Sequence, residues 1–244
     1  MQDALTYKLF VKLSRKVLQS IVKHNLLEAN DKVLIAVSGG KDSLVLAKIL
    51  AEVKRHLNFR IELFAVHVHL SGIGYKSEKA YLSSFFEQLD IPLIWKEGNL
   101  DLDTPDKSPC FICSWTRRKH IFDLSKELSC NKIAFGHHQD DAVQTMLLNM
   151  VNKGTLSSFP HKLSMFEGRA ELIRPLLCLK EKDVAAYATS KGMGTQGVEC
   201  PHGNGSQRAA MKGIVKQMEQ LHKHAIGNLF RSPGNIKSDY IAFD

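Results

Sequence analysis

The stretch Val33-Leu34-Ile35-Ala36-Val37-Ser38-Gly39-Gly40-Lys41-Asp42-Ser43 decides how this chain folds. Five apolar, mostly β-branched residues read as a buried strand. From Leu44 to Val53 the pattern changes to helical spacing, with Leu46, Ala47, Leu50 and Ala51 on one face. The turn between them holds Ser38, Gly39, Gly40, Lys41, Asp42 and Ser43. Adjacent glycines let a backbone bend sharply and approach a ligand closely. Their N–H groups and the following helix N-terminus make a concavity suited to phosphate or pyrophosphate. The spacing is not that of a Walker P-loop. The plainer alternative is a strand-to-helix turn capped by Asp42 or Ser43.

Outward from this stretch, strand-like and helix-like segments alternate. Ile61–Val68 reads as a second strand, ending in His67-Val68-His69, and Glu78–Leu89 as a helix. Ile91–Trp95 and Lys132–Phe135 read as further strands, and Leu172–Leu176 as a strand end. Helices are expected from the basic stretch at Arg117 to Leu128, through Leu147–Val151, over Lys180–Ser190 and over Gln207–Ala225. This order predicts an α/β fold, a doubly wound parallel sheet with helices on both faces. In such sheets ligands bind outside the carboxyl ends of the strands, so the segments at Ser38, His67 and Gly136 should share one crevice. The expected organisation is an N-terminal basic helix over 1–30, a nucleotide domain over 31–190, and a cysteine-bearing loop, helix and tail over 191–244 packed on it. In the first helix Lys8, Lys12, Arg15, Lys16 and Lys23 alternate with Leu9, Leu13, Val17 and Ile21. That pattern reads as a solvated outer face on a packing helix, with an RNA-gripping role as the sharper alternative.

The chain has 244 residues and a formal net charge of +8, an excess that favours a polyanionic partner such as nucleic acid. It has no apolar run long enough to span a membrane and no signal-peptide pattern, so no membrane association and a cytoplasmic location are expected. Five cysteines, an odd number, argue for reduced thiols rather than a disulfide framework. Cys130 and Cys178 lie in apolar surroundings and read as packed core thiols. Cys110-Phe111-Ile112-Cys113 is compatible with a redox pair, half a zinc site or an iron–sulfur ligand set. Cys200 lies in a glycine-rich segment far downstream, and His202 beside it is a further conceivable ligand. Gly136-His137-His138-Gln139-Asp140-Asp141 follows a strand. Its aspartates suit either Mg²⁺ against phosphate oxygens or the positive end of a helix.

Taken in order, SGGKDS, C-x-x-C with Arg117 and Arg118 close behind, GHHxDD, Ile173-Arg174-Pro175-Leu176 and a distal Cys before Gly205-Ser206-Gln207 resemble a known group. The first motif is similar to that of the PP-loop ATP pyrophosphatases, and the whole order resembles the tRNA 2-thiocytidine synthetase (TtcA) family within them. The resemblance runs from about Leu27 to Met218. It implies ATP binding by Ser38, Gly39, Gly40, Lys41, Asp42 and Ser43, with Val66, His67, Gly136 and Asp141 against the nucleotide. It implies a [4Fe–4S] cluster on Cys110, Cys113 and Cys200, and Mg²⁺ at Asp141 with Asp42 nearby. Lys41, Asp42 and the three cysteines are then the expected catalytic residues. Many relatives carry a second C-x-x-C where this chain has only Cys200 followed by Pro201 and His202.

The implied reaction is transfer of AMP to the C2 oxygen of a pyrimidine in tRNA, cytidine by resemblance, followed by replacement of that oxygen with sulfur. The implied partners are tRNA and a sulfur donor, either a cysteine desulfurase or sulfide. A homodimer is one implied assembly, with the oligomeric state open. Arg117, Arg118 and Arg174 are candidates for RNA phosphate contacts, and Arg174 equally suits pinning a strand end. Sulfur carried on the cluster and sulfur carried as a cysteine persulfide both remain open. The rival readings are a PP-loop ligase that accepts an amine, and a zinc-holding nucleotide- or RNA-binding module.

Overall fold

The computed structural model describes residues 2–71, 78–100, 108–194 and 207–240. Cys200, His202 and Ser71's glycine-rich continuation therefore lie outside the described residues, as does most of the acidic loop before Cys110. Six strands form one sheet: β1 (Lys32–Val37), β2 (Glu62–Ser71), β3 (Leu93–Asn99), β4 (Lys132–Ala134), β5 (Lys162–Met165) and β6 (Ala170–Ile173). Their order across the sheet is β3-β2-β1-β4-β6-β5. The first five of these are parallel neighbours, and only β5 runs antiparallel, against β6.

The sheet is mostly parallel, as expected, with β5 as an added antiparallel edge. Lys162–Met165 is short and largely exposed, so it carries no apolar period for a strand reading. A hairpin through Phe166, Glu167 and Gly168, all at positive φ, turns it into β6.

The alternation within each strand sorts the core into two layers. Val33, Ile35 and Val37 of β1 and Leu63 and Ala65 of β2 face one layer. On that side lie α1 (Gln2–Lys23), α2 (Lys41–Lys54), α3 (Lys79–Glu87) and α6 (Glu181–Ser190). Leu34, Val66, Val68 and Leu70 face the other layer, with Ile121 and Leu124 of α4 (Pro109–Glu127). The sheet is thus covered by helices on both faces. Phe10, Leu13, Val17 and Ile21 of α1 are buried in the first layer, while Lys8, Lys12, Arg15 and Lys23 are exposed. The first helix packs its apolar side into this layer and leaves a solvated basic face.

The described residues group into two compact units. The first takes in residues up to His138 and 160–203, and so includes the whole sheet. The second joins α5 (Gln139–Lys153) to α7 (Gln207–Leu221) and α8 (Ala225–Arg231). Its small core is Val143 and Leu147 of α5 against Val215, Ile226, Leu229 and Phe230. The apolar stripe of α5 is thus shared with the two C-terminal helices.

At the amino ends of the strands, Lys132 is 4 % exposed and pairs with Glu171 and, at 3.8 Å, with Asp31. The Asn131 amide donates to Asp31 at 2.7 Å. These contacts tie β1, β4 and β6 together at the end of the sheet opposite the glycine loop. Among the described residues, no helix is long and apolar enough to cross a membrane.

Candidate nucleotide and cysteine site

The strand order reverses direction at β1: β2 and β3 lie on one side and β4 and β6 on the other. A crevice outside the carboxyl ends is built at such a switch point. Both loops that flank it here are glycine loops. After Val37 the chain turns through Gly39 at φ +85°, a conformation that favours glycine. Gly40 is the N-cap of α2 and has no side chain to occupy the helix end. The Ser43 hydroxyl donates to the Gly40 carbonyl at 2.8 Å, and the Gly40 N–H donates to Ser38 Oγ at 3.2 Å. The loop is therefore closed by its own hydroxyls, leaving a helix N-terminus with its positive dipole at the crevice.

The second loop sets the first in place. A Cβ on Gly136 would stand 3.0 Å from the Asp42 carbonyl oxygen, 3.1 Å from its carbon and 3.2 Å from the Ser43 nitrogen. Those neighbours are backbone and have no side-chain freedom with which to yield. Gly136 is thus required for packing against the first loop, a role hidden behind its expected place beside the nucleotide. His138, 4 % exposed, brings Nε2 to 3.9 Å from Asp42 Oδ1.

Charges converge on the same turn. Lys41 Nζ lies 3.1 Å from Asp42 Oδ2 and 3.5 Å from Glu181 Oε1, on the first turn of α6. Burial draws the Lys41 ammonium down, but the two carboxylates outweigh it and its pKa is raised. Lys41 is held protonated. Glu181 carried no sequence signal, since it is 140 residues away and reads only as an acid in a helix first turn. Asp42 Oδ1 is buried and accepts no hydrogen bond among the described residues. A buried carboxylate oxygen in that condition suits a cation.

His67 closes on the strand that leads into this loop. It pairs with Val37 in the β1–β2 register, is 2 % exposed, and its Nδ1 donates to the Val37 carbonyl at 2.9 Å. Its ring lies 4.5 Å from that of Trp95. Burial pushes its pKa down to about 4, and the nearby charge of Arg117 on α4 acts in the same direction. The His67 side chain is thus held within the fold, and Val66 beside it is fully buried in the second core layer.

The α4 helix opens with a defined start. Ser108 is its N-cap, with Oγ accepting from the Phe111 N–H at 3.3 Å, and Pro109 sits in the first turn. Cys110 and Cys113 therefore fall at i and i+3 in the first turn, neighbours on the helix surface. Cys110 is exposed, and Cys113 is half-buried against the layer of Val66, Val68 and Leu70. Gly98 of β3 lets the helix seat, since a Cβ there would meet His120 Nε2 at 2.5 Å. By contrast, Cys130 and Cys178 are driven up to about 11 by burial, as expected of packed thiols. Among the described residues no three His, Cys, Asp or Glu side chains cluster as a metal site, the third expected cysteine lying outside them.

The remaining candidates divide. Arg117 is half-buried and Arg118 exposed on α4. Arg174 is 5 % exposed, and its Nη1 donates to the Pro160 carbonyl at 2.8 Å. Of its two readings the structure gives Arg174 the strand-pinning one, because a side chain so buried has little surface for a phosphate. In the second unit, Asp140 and Asp141 occupy the first turn of α5, where the helix dipole favours carboxylates. Asp141 Oδ1 accepts from Arg208 of α7 at 3.0 Å, a partner the sequence did not reveal.

The histidines make acid stability a test of this packing. His161, stacked 3.8 Å from the ring of His24, is also held down to about 4, chiefly by burial. An unfolded chain protonates its histidines near pH 6.5, whereas His67 and His161 stay neutral in the fold until about 4. The unfolded state thus binds more protons in between, and stability is lost as pH falls from about 6.5 to about 4. Melting temperatures across that window should fall, and His67→Gln should flatten the fall. A flat profile in the unmodified chain contradicts the buried, neutral assignment.

The comparisons agree with this geometry. Residues 10–197 match the PP-loop domain family. A tRNA-cytidine(32) 2-sulfurtransferase from Syntrophotalea carbinolica is 35 % identical, covering 96 % of this chain and 92 % of that protein. One from Paraburkholderia phytofirmans is 33 % identical, covering 96 % and 71 %. The solved structure of the U34-tRNA thiolase NcsA from Methanococcus maripaludis with its [4Fe–4S] cluster superposes with a TM-score of 0.75 at 25 % identity, covering 96 % and 80 %. With a glycine loop at the switch point, Gly136 seated on it and a C-x-x-C helix packed on the same sheet, the chain belongs to the PP-loop family, in the branch of the tRNA-cytidine(32) 2-sulfurtransferases.

Proposed function

We propose that this protein is an ATP-dependent tRNA sulfurtransferase that adenylates the C2 oxygen of a cytidine and replaces it with sulfur. The observation that carries the reading is the packing of Cys113, in the first turn of α4, on the core layer of Val66 and Val68. Those residues belong to β2, whose carboxyl half pairs with Val37 just before the nucleotide loop. An enzyme that only adenylates has no use for thiols positioned there.

The C2 oxygen of a pyrimidine leaves poorly. Transfer of AMP to it, with release of pyrophosphate, makes it leave with AMP when a sulfur nucleophile attacks. One ATP is consumed per base, and sulfur supplied at the sulfide level needs no separate redox partner. The N–H groups of the Ser38–Ser43 loop and the N-terminus of α2 receive the phosphates. Lys41, held protonated by Asp42 and Glu181, offsets charge as pyrophosphate departs. Asp42, with its buried Oδ1, is a carboxylate suited to Mg²⁺, and by resemblance to the family Asp141 is another. Cys110 and Cys113, with Cys200 as the third ligand, fit a [4Fe–4S] cluster, which when bound supplies sulfur in nucleophilic form. Arg117 and Arg118 contact tRNA phosphates, and the target base leaves its stack to enter the crevice. A tRNA substrate suits work in the cytoplasm, with sulfide as donor, or a cysteine desulfurase whose persulfide sulfur a thiol reductant first brings to the sulfide level.

The test is nucleoside analysis of tRNA incubated with the protein, ATP, Mg²⁺ and sulfide without oxygen. One thiolated cytidine per AMP is expected. AMP formed with an amine-linked product instead supports the ligase.

Metal binding at Asp141 must displace Arg208. The Arg208 side chain is 50 % exposed, so the pair is worth no more than about 1 kcal/mol. Arg208→Ala should therefore tighten Mg²⁺ by a few-fold in a calorimetric titration. Unchanged Mg²⁺ affinity removes Asp141 from the metal site.

A further inference from the structure

The outer face of α1 carries a row of cations that the chemistry above does not use. Lys8, Lys12, Arg15 and Lys23 stand at i, i+4, i+7 and i+15, and all four are exposed. At about 100° per residue they fall within about 80° of one another round the helix. The row extends about 22 Å along the helix axis. It lies on the far side of α1 from Leu13, Val17 and Ile21, which are buried in the first core layer. Asp3 is the one acid on this helix, and it is reached by Lys191 at 3.9 Å. Among the described residues no carboxylate forms an ion pair with any of the four cations.

The row leads toward the crevice end of the sheet. His24, next after Lys23, stacks on His161 at 3.8 Å. The His161 carbonyl accepts from the Arg174 N–H at 2.9 Å, and Arg174 directly follows the carboxyl end of β6. Burial first, and then positive charge on His24, Lys23 and Arg174, hold His161 down. Burial first, and then Arg118 of α4, draw Arg174 down. Positive groups thus adjoin one another from the end of α1 to the helix that carries Cys110 and Cys113. An anionic membrane would need the apolar side of α1, which is taken up in the core. A nucleic-acid backbone needs only the cations, and the chain's net charge of +8 suits the same partner.

We propose that Lys8, Lys12, Arg15 and Lys23 form a phosphate ladder on the outer face of α1 for the backbone of the tRNA substrate. The ladder holds the body of the RNA while the target base enters the crevice. Phosphate contacts position an RNA without choosing a base, so the ladder sets register and leaves recognition of the cytidine to the crevice. It rests on the tRNA reading and adds to it the surface that carries the RNA.

The test is binding of an unmodified tRNA transcript to the full chain across a salt series. Lys8→Gln/Lys12→Gln/Arg15→Gln/Lys23→Gln should bind roughly ten- to a hundredfold more weakly at about 0.1 M salt. The slope of log affinity against log salt should fall by about three, one counterion or slightly less per lost contact. As a control, Lys54→Gln/Arg55→Gln/Arg60→Gln/Lys126→Gln removes the same charge from exposed positions toward the amino ends of the strands. Its affinity should stay within about threefold of the unmodified chain. Lys8→Arg/Lys12→Arg/Lys23→Arg should keep both affinity and slope, which separates charge from packing. tRNA affinity within twofold and an unchanged slope in the α1 glutamine variant overturn the ladder. Equal losses in that variant and the control also overturn it, because net charge then accounts for both. A wild-type chain that binds no tRNA overturns the sulfurtransferase reading and the ladder together.

Discussion

Gly136→Ala should cut ATP-dependent formation of AMP and pyrophosphate by about a hundredfold. The added methyl would stand 3.0 to 3.2 Å from the Asp42 carbonyl and the Ser43 nitrogen, all of them backbone. The glycine loop must then shift by several tenths of an ångström or more. A misplacement of about 1 Å in a positioning element costs on the order of a hundredfold in rate. The shift falls on the loop that orients Lys41 and Asp42 and on the Ser43–Gly40 hydrogen bond that closes it. Global stability should change little beside the rate, because Gly136 lies at a strand end rather than inside either core layer. Pyrophosphate release and a thermal melt on the same preparation separate the two effects. Full activity in Gly136→Ala contradicts the seating of one loop on the other.

Cys113→Ala should abolish thiolation while ATP affinity stays within about twofold. Cys113 sits in the first turn of α4, one helical turn from Cys110, and each is proposed to hold the cluster. Its side chain is only half-buried, so truncation leaves no large cavity and the helix keeps its Ser108 cap. The nucleotide loop is built from residues of β1, α2 and the Gly136 turn, none of which requires the thiol. Nucleoside analysis and equilibrium nucleotide binding measure the two halves independently. Thiolated product from Cys113→Ala sets aside both the cluster and a persulfide at that residue.

Much of this was legible in the sequence because it lies in contiguous stretches. The apolar alternation of Val33–Val37, the glycines after it and the helical period beyond Leu44 specify strand, loop and helix within about twenty residues. The same holds for the C-x-x-C at the head of a basic helix. What escaped were partnerships formed in space. Glu181 reaches Lys41 across 140 residues, and Arg208 reaches Asp141 across 67. Neither leaves a local pattern beyond an acid or a base in a first helical turn. β5 escaped because a short edge strand with exposed side chains has no buried face to impose a period. Arg174 was open between two roles until its burial and its bond to Pro160 decided for packing. Gly136 was legible as a loop glycine, but its reason is steric and needed the neighbouring backbone in place.

The central claim is that the thiols of α4 serve sulfur transfer driven by the adjacent ATP loop. Iron and acid-labile sulfide content, with an absorption spectrum, on protein purified without oxygen tests it most directly. The account predicts about four irons and at least as many sulfides per chain, with the broad visible absorption of an iron–sulfur cluster. Stoichiometric zinc, or no metal after attempted reconstitution, would contradict it.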